Sequence, residues 1–191
     1  MSSILLTPPA VEPLTLAEAK AYLRVEHDDD DAVVSALISA ARMHIEAQTR
    51  RALITQTWRL ARDGWPPQGR LAVVPVPLRS IVAARVYHED GALQSIDTQA
   101  FTLDKAAAPA LIAFAPWSLP VPTRRIAGIE LDVEVGYGGA GSDVPQPLRQ
   151  AIKLLLAHWY ENRGLIALGH DVAVLPATIA AIIAPYRVLA L

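Results

Sequence analysis

Between Val144 and Arg163 the apolar residues repeat with the period of a helix. Leu148, Ile152, Leu155, Leu156 and Trp159 fall at i, i+4, i+7, i+8 and i+11, with Arg149, Gln150 and Lys153 off that stripe. The spacing predicts one long helix over 144–163. Asp143 stands where an N-cap belongs, Pro145 and Pro147 suit a first turn whose N–H groups have no partners, and Gly164 supplies a stop. So broad an apolar face needs other helices to cover it.

Two helices near the start and one near the end are candidates. Thr15-Leu16-Ala17-Glu18 has the form of a capping box and opens a short helix with Leu16, Ala19 and Leu23 on one side. A second helix carries Val34, Leu37, Ile38, Ala41 and Ile45 inward and ends near Thr49. Asp28 to Asp31 precede it. Four carboxylates there complement the positive end of the helix, and the glycine and glutamate of a calcium-binding loop are missing. A fourth helix runs from Pro176 to Ala184 and is closed by Pro185.

The period changes at Leu53. Short β-prone runs separated by proline and glycine follow, with a hairpin turn at His88-Glu89-Asp90-Gly91 and further strands at 101–103 and 111–114. Residues 117–122 form a proline-rich loop. The clearest strand is 129–135, with Ile129, Leu131, Val133 and Val135 on one side and Glu130, Asp132 and Glu134 on the other. Residues 1–13, with Pro8, Pro9 and Pro13, read as an extended arm. The fold class is therefore α+β. Residues 1–52 give the arm and two helices, 53–141 an inserted antiparallel β-rich segment, and 142–191 the long helix, the short helix and a tail completing one helical bundle.

Composition narrows the chemistry. Apolar residues make up 52% of the 191 and charged residues 19%, which reserves surface for partners. A net charge of −2 argues against a dedicated phosphate binder, and the lack of cysteine removes thiol catalysis, disulfides and cysteine-held metals. The N-terminus has no signal-peptide pattern and no window could span a membrane, so a soluble cytosolic product is expected. Gly136-Tyr-Gly-Gly-Ala-Gly141 matches G-x-G-x-x-G, but Ser142 to Pro145 separate it from the helix, and no parallel strand follows; a strand-to-helix hinge is the better reading. His158 and Glu161 share a helix face without the acidic partners a di-metal site needs. No nucleophile–base motif is present, and the four tryptophans read as core or interface anchors. No catalytic residue, cofactor or metal is assigned.

The pieces in order resemble the head–tail connector (adaptor, head-completion) family of long-tailed bacteriophages and gene transfer agents. The resemblance rests on EPLTLAEAKAYLRV at 12–25, EAQTRRALITQTW at 46–58, VPLRSIVAARVYHEDGA at 76–92, IELDVEVGYG at 129–138 feeding VPQPLRQAIKLLLAHWYENR, and LPATIAAIIAPYRVL near the end. One departure is Arg50, where that family often has glycine after the second helix.

The resemblance implies a structural role: a subunit of a virion-neck ring, dodecameric in the particle and assembled in the bacterial cytoplasm. Its partners would be the portal protein, neighbouring copies, a stopper or tail-terminator protein, and DNA passing through without specific binding, with no membrane. A DNA-binding packaging or regulatory protein, or a nucleotide- or metal-dependent enzyme, are the alternatives. On this reading Tyr186, Arg187, Val188, Leu189 and Leu191 form an apolar tail that docks on the portal or a neighbour. Glu130, Asp132 and Glu134 are expected to face the channel, where carboxylates repel phosphate.

Overall fold

The computed structural model describes residues 2–162 and 176–189. These fall into two compact units. One takes residues 2–10, 55–137 and Leu189; the other takes 11–54, 138–162 and 176–188.

The helical unit contains α1 (Leu16–Leu23), α2 (Asp31–Thr49), α3 (Gln146–Glu161) and α4 (Ala177–Ile183). The capping box at α1 forms as its sequence dictates: the Glu18 N–H donates to the Thr15 hydroxyl at 3.1 Å, and the Thr15 N–H donates to Glu18 at 3.0 Å. Val34, Ile38, Ala41 and Ile45 of α2 meet Leu148, Ala151, Ile152, Leu155 and Leu156 of α3 in a core that α4 joins through Ile179 and Ile183. Burying each valine, leucine or isoleucine among them stabilises the unit by about 1.5–3 kcal/mol. Buried Arg42 pairs with Glu12 and Glu46, both at 2.8 Å, and Glu46 also accepts the Leu53 N–H, so one guanidinium ties the segment entering the unit to the segment leaving it.

Three helix ends show how the caps are built, and one of them differs from expectation. Asp143 is not the N-cap of α3: it closes a 3-10 turn at Gly141–Asp143, its carboxylate takes the Ala140 N–H at 2.9 Å, and Pro145 stands at the cap. The fourth helix ends at Ile183 with Ala184 as its cap, directly before Pro185 as expected, and Pro185 then takes an early position of the 3-10 turn Ala184–Tyr186. Arg50 holds φ 57 and ψ 34 after α2, the left-handed geometry that favours glycine. The expected stop at Gly164 lies outside the described residues.

In the β unit, a five-stranded antiparallel sheet has the order β1 (Ser2–Thr7), β2 (Gln56–Arg62), β8 (Ile129–Val135), β4 (Leu78–Tyr87), β5 (Leu93–Ile96). A three-stranded sheet has the order β3 (Arg70–Val73), β7 (Ala110–Ala113), β6 (Thr102–Asp104). The His88–Gly91 turn joins β4 to β5, with Gly91 at φ 82. The arm grouped with the helices in the sequence instead supplies β1, because its free backbone groups pair with the edge of β2. Trp65, Phe101 and Phe114 cluster beside the smaller sheet with ring centroids 5.1–6.2 Å apart.

The β segment leaves the helical unit after Ile54 and returns at Gly138, and those two residues form a parallel bridge. Removing residues 1–10 and replacing 55–137 with a short Gly-Ser linker is expected to leave a helical protein with cooperative thermal unfolding by circular dichroism; a non-cooperative melt would contradict it. Arg50→Gly relieves a left-handed residue that costs about 1–2 kcal/mol. After the extra unfolded-state entropy of glycine it should raise stability by about 0.5–1 kcal/mol in denaturant titration.

Candidate functional site

The polar side of β8 is the densest arrangement of charge in the described structure. Because side chains alternate along a strand, Ile129, Leu131, Val133 and Val135 lie buried on one face and Glu130, Asp132 and Glu134 on the other. β8 is the middle strand, so its acidic row is flanked on both sides. β2 sets Arg59 opposite Asp132, and β4 sets Arg85 opposite Glu130.

Asp132 is only 4% exposed and receives three hydrogen bonds: from Arg59 Nε at 2.7 Å, Arg59 Nη2 at 3.0 Å and Arg85 Nη1 at 2.7 Å. Arg59 also reaches Glu130 at 3.4 Å, and the Tyr87 hydroxyl donates to Glu130 at 2.9 Å. At the other end Arg79 donates to Glu134 at 2.9 Å and to the Tyr137 carbonyl at 3.2 Å. Three carboxylates thus meet three guanidiniums, and the row carries no net charge of its own.

The chemistry of the row follows from those bonds. Burial pushes the Asp132 carboxyl upward, but the bonds from Arg59 and Arg85 outweigh it and hold the group below its ordinary value. Arg59 is raised, first by its bond to Asp132. Tyr87 is raised by burial and then by its bond to Glu130. With every acid already accepting from a fixed donor, the arrangement suits structural bracing and not proton transfer.

The tail residues are placed as follows. Val188 is buried in the helical unit, and its N–H donates to the Thr49 carbonyl at 3.0 Å. Tyr186 is half-buried; its carbonyl takes the Arg51 Nε–H at 2.6 Å, with the Arg51 guanidinium 5.9 Å from its ring centre. Arg187 is exposed and donates to Gln48 at 3.1 Å, Leu189 is exposed, and Leu191 lies outside the described residues. Sequence reasoning missed Arg59, Arg79, Arg85 and Tyr87. They recur at alternate positions in TWRLAR and LRSIVAARVY, yet only the strand register shows which acid each one meets.

The remaining motifs resolve structurally. A Cβ at Gly138 would collide with the Asp143 carboxylate, and one at Gly141 would lie 2.6 Å from the Pro13 carbonyl, so these glycines serve close packing. Lys20 bridges Asp28 and Asp31 at 2.6 Å each. Among the described residues no group of three or more His, Asp or Glu is arranged to hold a metal ion, and no helix is long and apolar enough to cross a membrane.

Residues 13–95 match the model of the phage gp6-like head-tail connector protein family. Solved structures extend the likeness to the whole chain. A chain in the neck of an empty gene transfer agent particle, computed with six-fold symmetry, is 26% identical with a TM-score of 0.82, covering 100% of this chain and 97% of that one. The chain is thus similar to the head–tail connector family over residues 13–95 and to gene transfer agent neck chains over its length. A chain from the virion of a native gene transfer agent particle matches at 0.83 with the same identity and coverage. Another, from the neck of a native particle computed with twelve-fold symmetry, matches at 0.71 with 26% identity, over 98% and 97% of the two chains. No curated protein sequence matches.

Acid titration tests the charged row on β8. Asp132 has a folded pKa below its unfolded value, so the unfolded chain binds more protons between the two. Its contribution is therefore present above about pH 4 and is lost as pH falls through the lowered folded value. Asp132→Ala leaves the part-exposed guanidiniums of Arg59 and Arg85 without their shared acceptor and should cost about 1–3 kcal/mol at pH 7 in denaturant titration, with a smaller penalty in strong acid. A penalty unchanged with pH would contradict the assignment.

Proposed function

We propose that this chain is a structural adaptor of the neck of a phage or phage-like particle, one copy in a ring beneath the portal, and not an enzyme. The observation that carries this reading is end-to-end correspondence with a neck chain at 26% identity and a TM-score of 0.82. Ring order fits the six-fold and twelve-fold symmetry of the neck structures. The portal above, a stopper or tail-terminator protein below, and DNA passing through without specific binding complete the arrangement, assembled in the bacterial cytoplasm. Imaging the neck of particles made with and without this chain tests it. Heads lacking both this ring and tails are expected in its absence; normally tailed particles would overturn the role.

Glu130, Asp132 and Glu134 remain our candidates for the channel wall. In that position the row offers DNA a surface with little net charge, since Arg59, Arg79 and Arg85 pair with the acids. Such a wall neither grips phosphate nor strongly repels it. The isolated protein is accordingly expected to show no steeply salt-dependent DNA affinity in a binding titration; a steep slope would favour the packaging or regulatory alternative.

For the tail, docking on the portal or a neighbour draws on Tyr186, Arg187, Leu189 and Leu191, with Val188 as the anchor that fixes where the tail leaves its own unit. Deleting residues 189–191 is expected to preserve the melting temperature while heads fail to join tails. Extending the deletion to Val188 should cost about 2 kcal/mol as a buried valine is lost. Normal joining of heads and tails by the shorter deletion would refute docking.

A further inference from the structure

The described surface carries one aromatic side chain that its own fold leaves almost bare. Trp117 is 94% exposed, and Val121 and Ile126 of the same loop are 75% and 77% exposed. This loop is braced. The Ser118 N–H and hydroxyl both donate to the Ala115 carbonyl, at 3.1 and 2.9 Å, closing a turn with Pro116 and Trp117 at its centre. Leu119 is buried, and the Trp65 indole N–H donates to the Pro120 carbonyl at 2.9 Å, beside the Trp65–Phe101–Phe114 cluster. Further along, the Ala127 N–H donates to Asp63 at 3.0 Å and the Arg124 N–H to the Tyr87 carbonyl at 3.3 Å. A backbone held this firmly presents its apolar groups without the ordering cost that weakens flexible contacts.

What covers the loop is indicated by symmetry and charge. A cyclic ring is built head to tail, so each copy needs two unlike surfaces that complement each other. The loop is bordered by Arg125, almost fully exposed and 4.0 Å from a Glu89 carboxylate that is itself largely exposed. Elsewhere the chain exposes Asp29, beside an Asp28 that Lys20 already holds at 2.6 Å, with Val33 exposed just beyond them. An apolar loop with a basic edge and an acidic segment with an apolar residue form such a pair.

We propose that Trp117, Val121 and Ile126 of one copy dock on the next copy of this chain in the ring, with Arg125 facing Asp29. This rests on the neck-ring reading. A buried aromatic anchor supplies most of the contact energy, and the charge pairing at its edge sets the orientation.

The test uses the full-length chain, produced in cells that assemble the particle, with its amount in purified necks measured against the head protein. Trp117→Ala, Arg125→Glu and Asp29→Arg are each checked for an unchanged melting temperature, which their exposure leads us to expect. Each should be incorporated about tenfold less than the unsubstituted chain. The combination Arg125→Glu with Asp29→Arg should restore incorporation by re-forming the pair with reversed signs. Normal incorporation of Trp117→Ala overturns the anchor. Loss in Arg125→Glu or Asp29→Arg without rescue in the combination overturns a second copy as the occupant and assigns the loop to another neck protein. Absence of even the unsubstituted chain from necks would instead refute the neck reading itself.

Discussion

A carboxylate at the middle of the central strand constrains the rest of the β unit. Asp132 stands at 4% exposure, where an unpaired charge would be expelled or neutralised. It is kept ionised because β2 brings Arg59 from one side and β4 brings Arg85 from the other. Both neighbours must hold their register for this to work, since a slip of one residue would turn either arginine to the opposite face. Breaking the pair is expensive, while making it adds little beyond a well-packed apolar trio. Its value is therefore in specifying which strand lies beside which.

The helical unit uses the same device at Arg42 and at Arg149, which pairs with Glu18 at 2.6 Å, in both cases between segments distant in sequence. Glu12 precedes α1, Glu46 lies near the end of α2, and a single guanidinium joins them. The chain crosses from one unit to the other close to both residues, after Ala10 and after Ile54. The charged bonds thus sit beside the entrance and exit, next to the buried Leu14, Leu53 and Ile54, and the stripes of α2 and α3 take over between them.

Local features were legible in the sequence. The capping box at Thr15 and the bounds of β8 follow from neighbouring residues alone, and the structure reproduces both. The apolar stripe of α3 survives with its start moved to Gln146. Features set by distant partners were not legible. The polar side of β8 reads as an open acidic face until its arginines are placed, and they lie 73 and 47 residues away in sequence. The N-terminal arm carries no alternation to mark it as a strand, and pairing with β2 alone makes it one. Val188 reads as part of a free tail because its partner, the Thr49 carbonyl, belongs to a helix more than a hundred residues earlier.

The balanced row on β8 also determines how the protein meets changes in its surroundings. Partly buried pairs are screened much less by salt than pairs in open water. The bonds among Arg59, Arg85 and Asp132 therefore persist when a particle leaves a crowded cell for dilute or saline water, whereas a loose contact such as Arg125 with Glu89 fades as ions accumulate. The interior of the subunit is buffered against ionic strength, and adjustment to the medium is left to its rim.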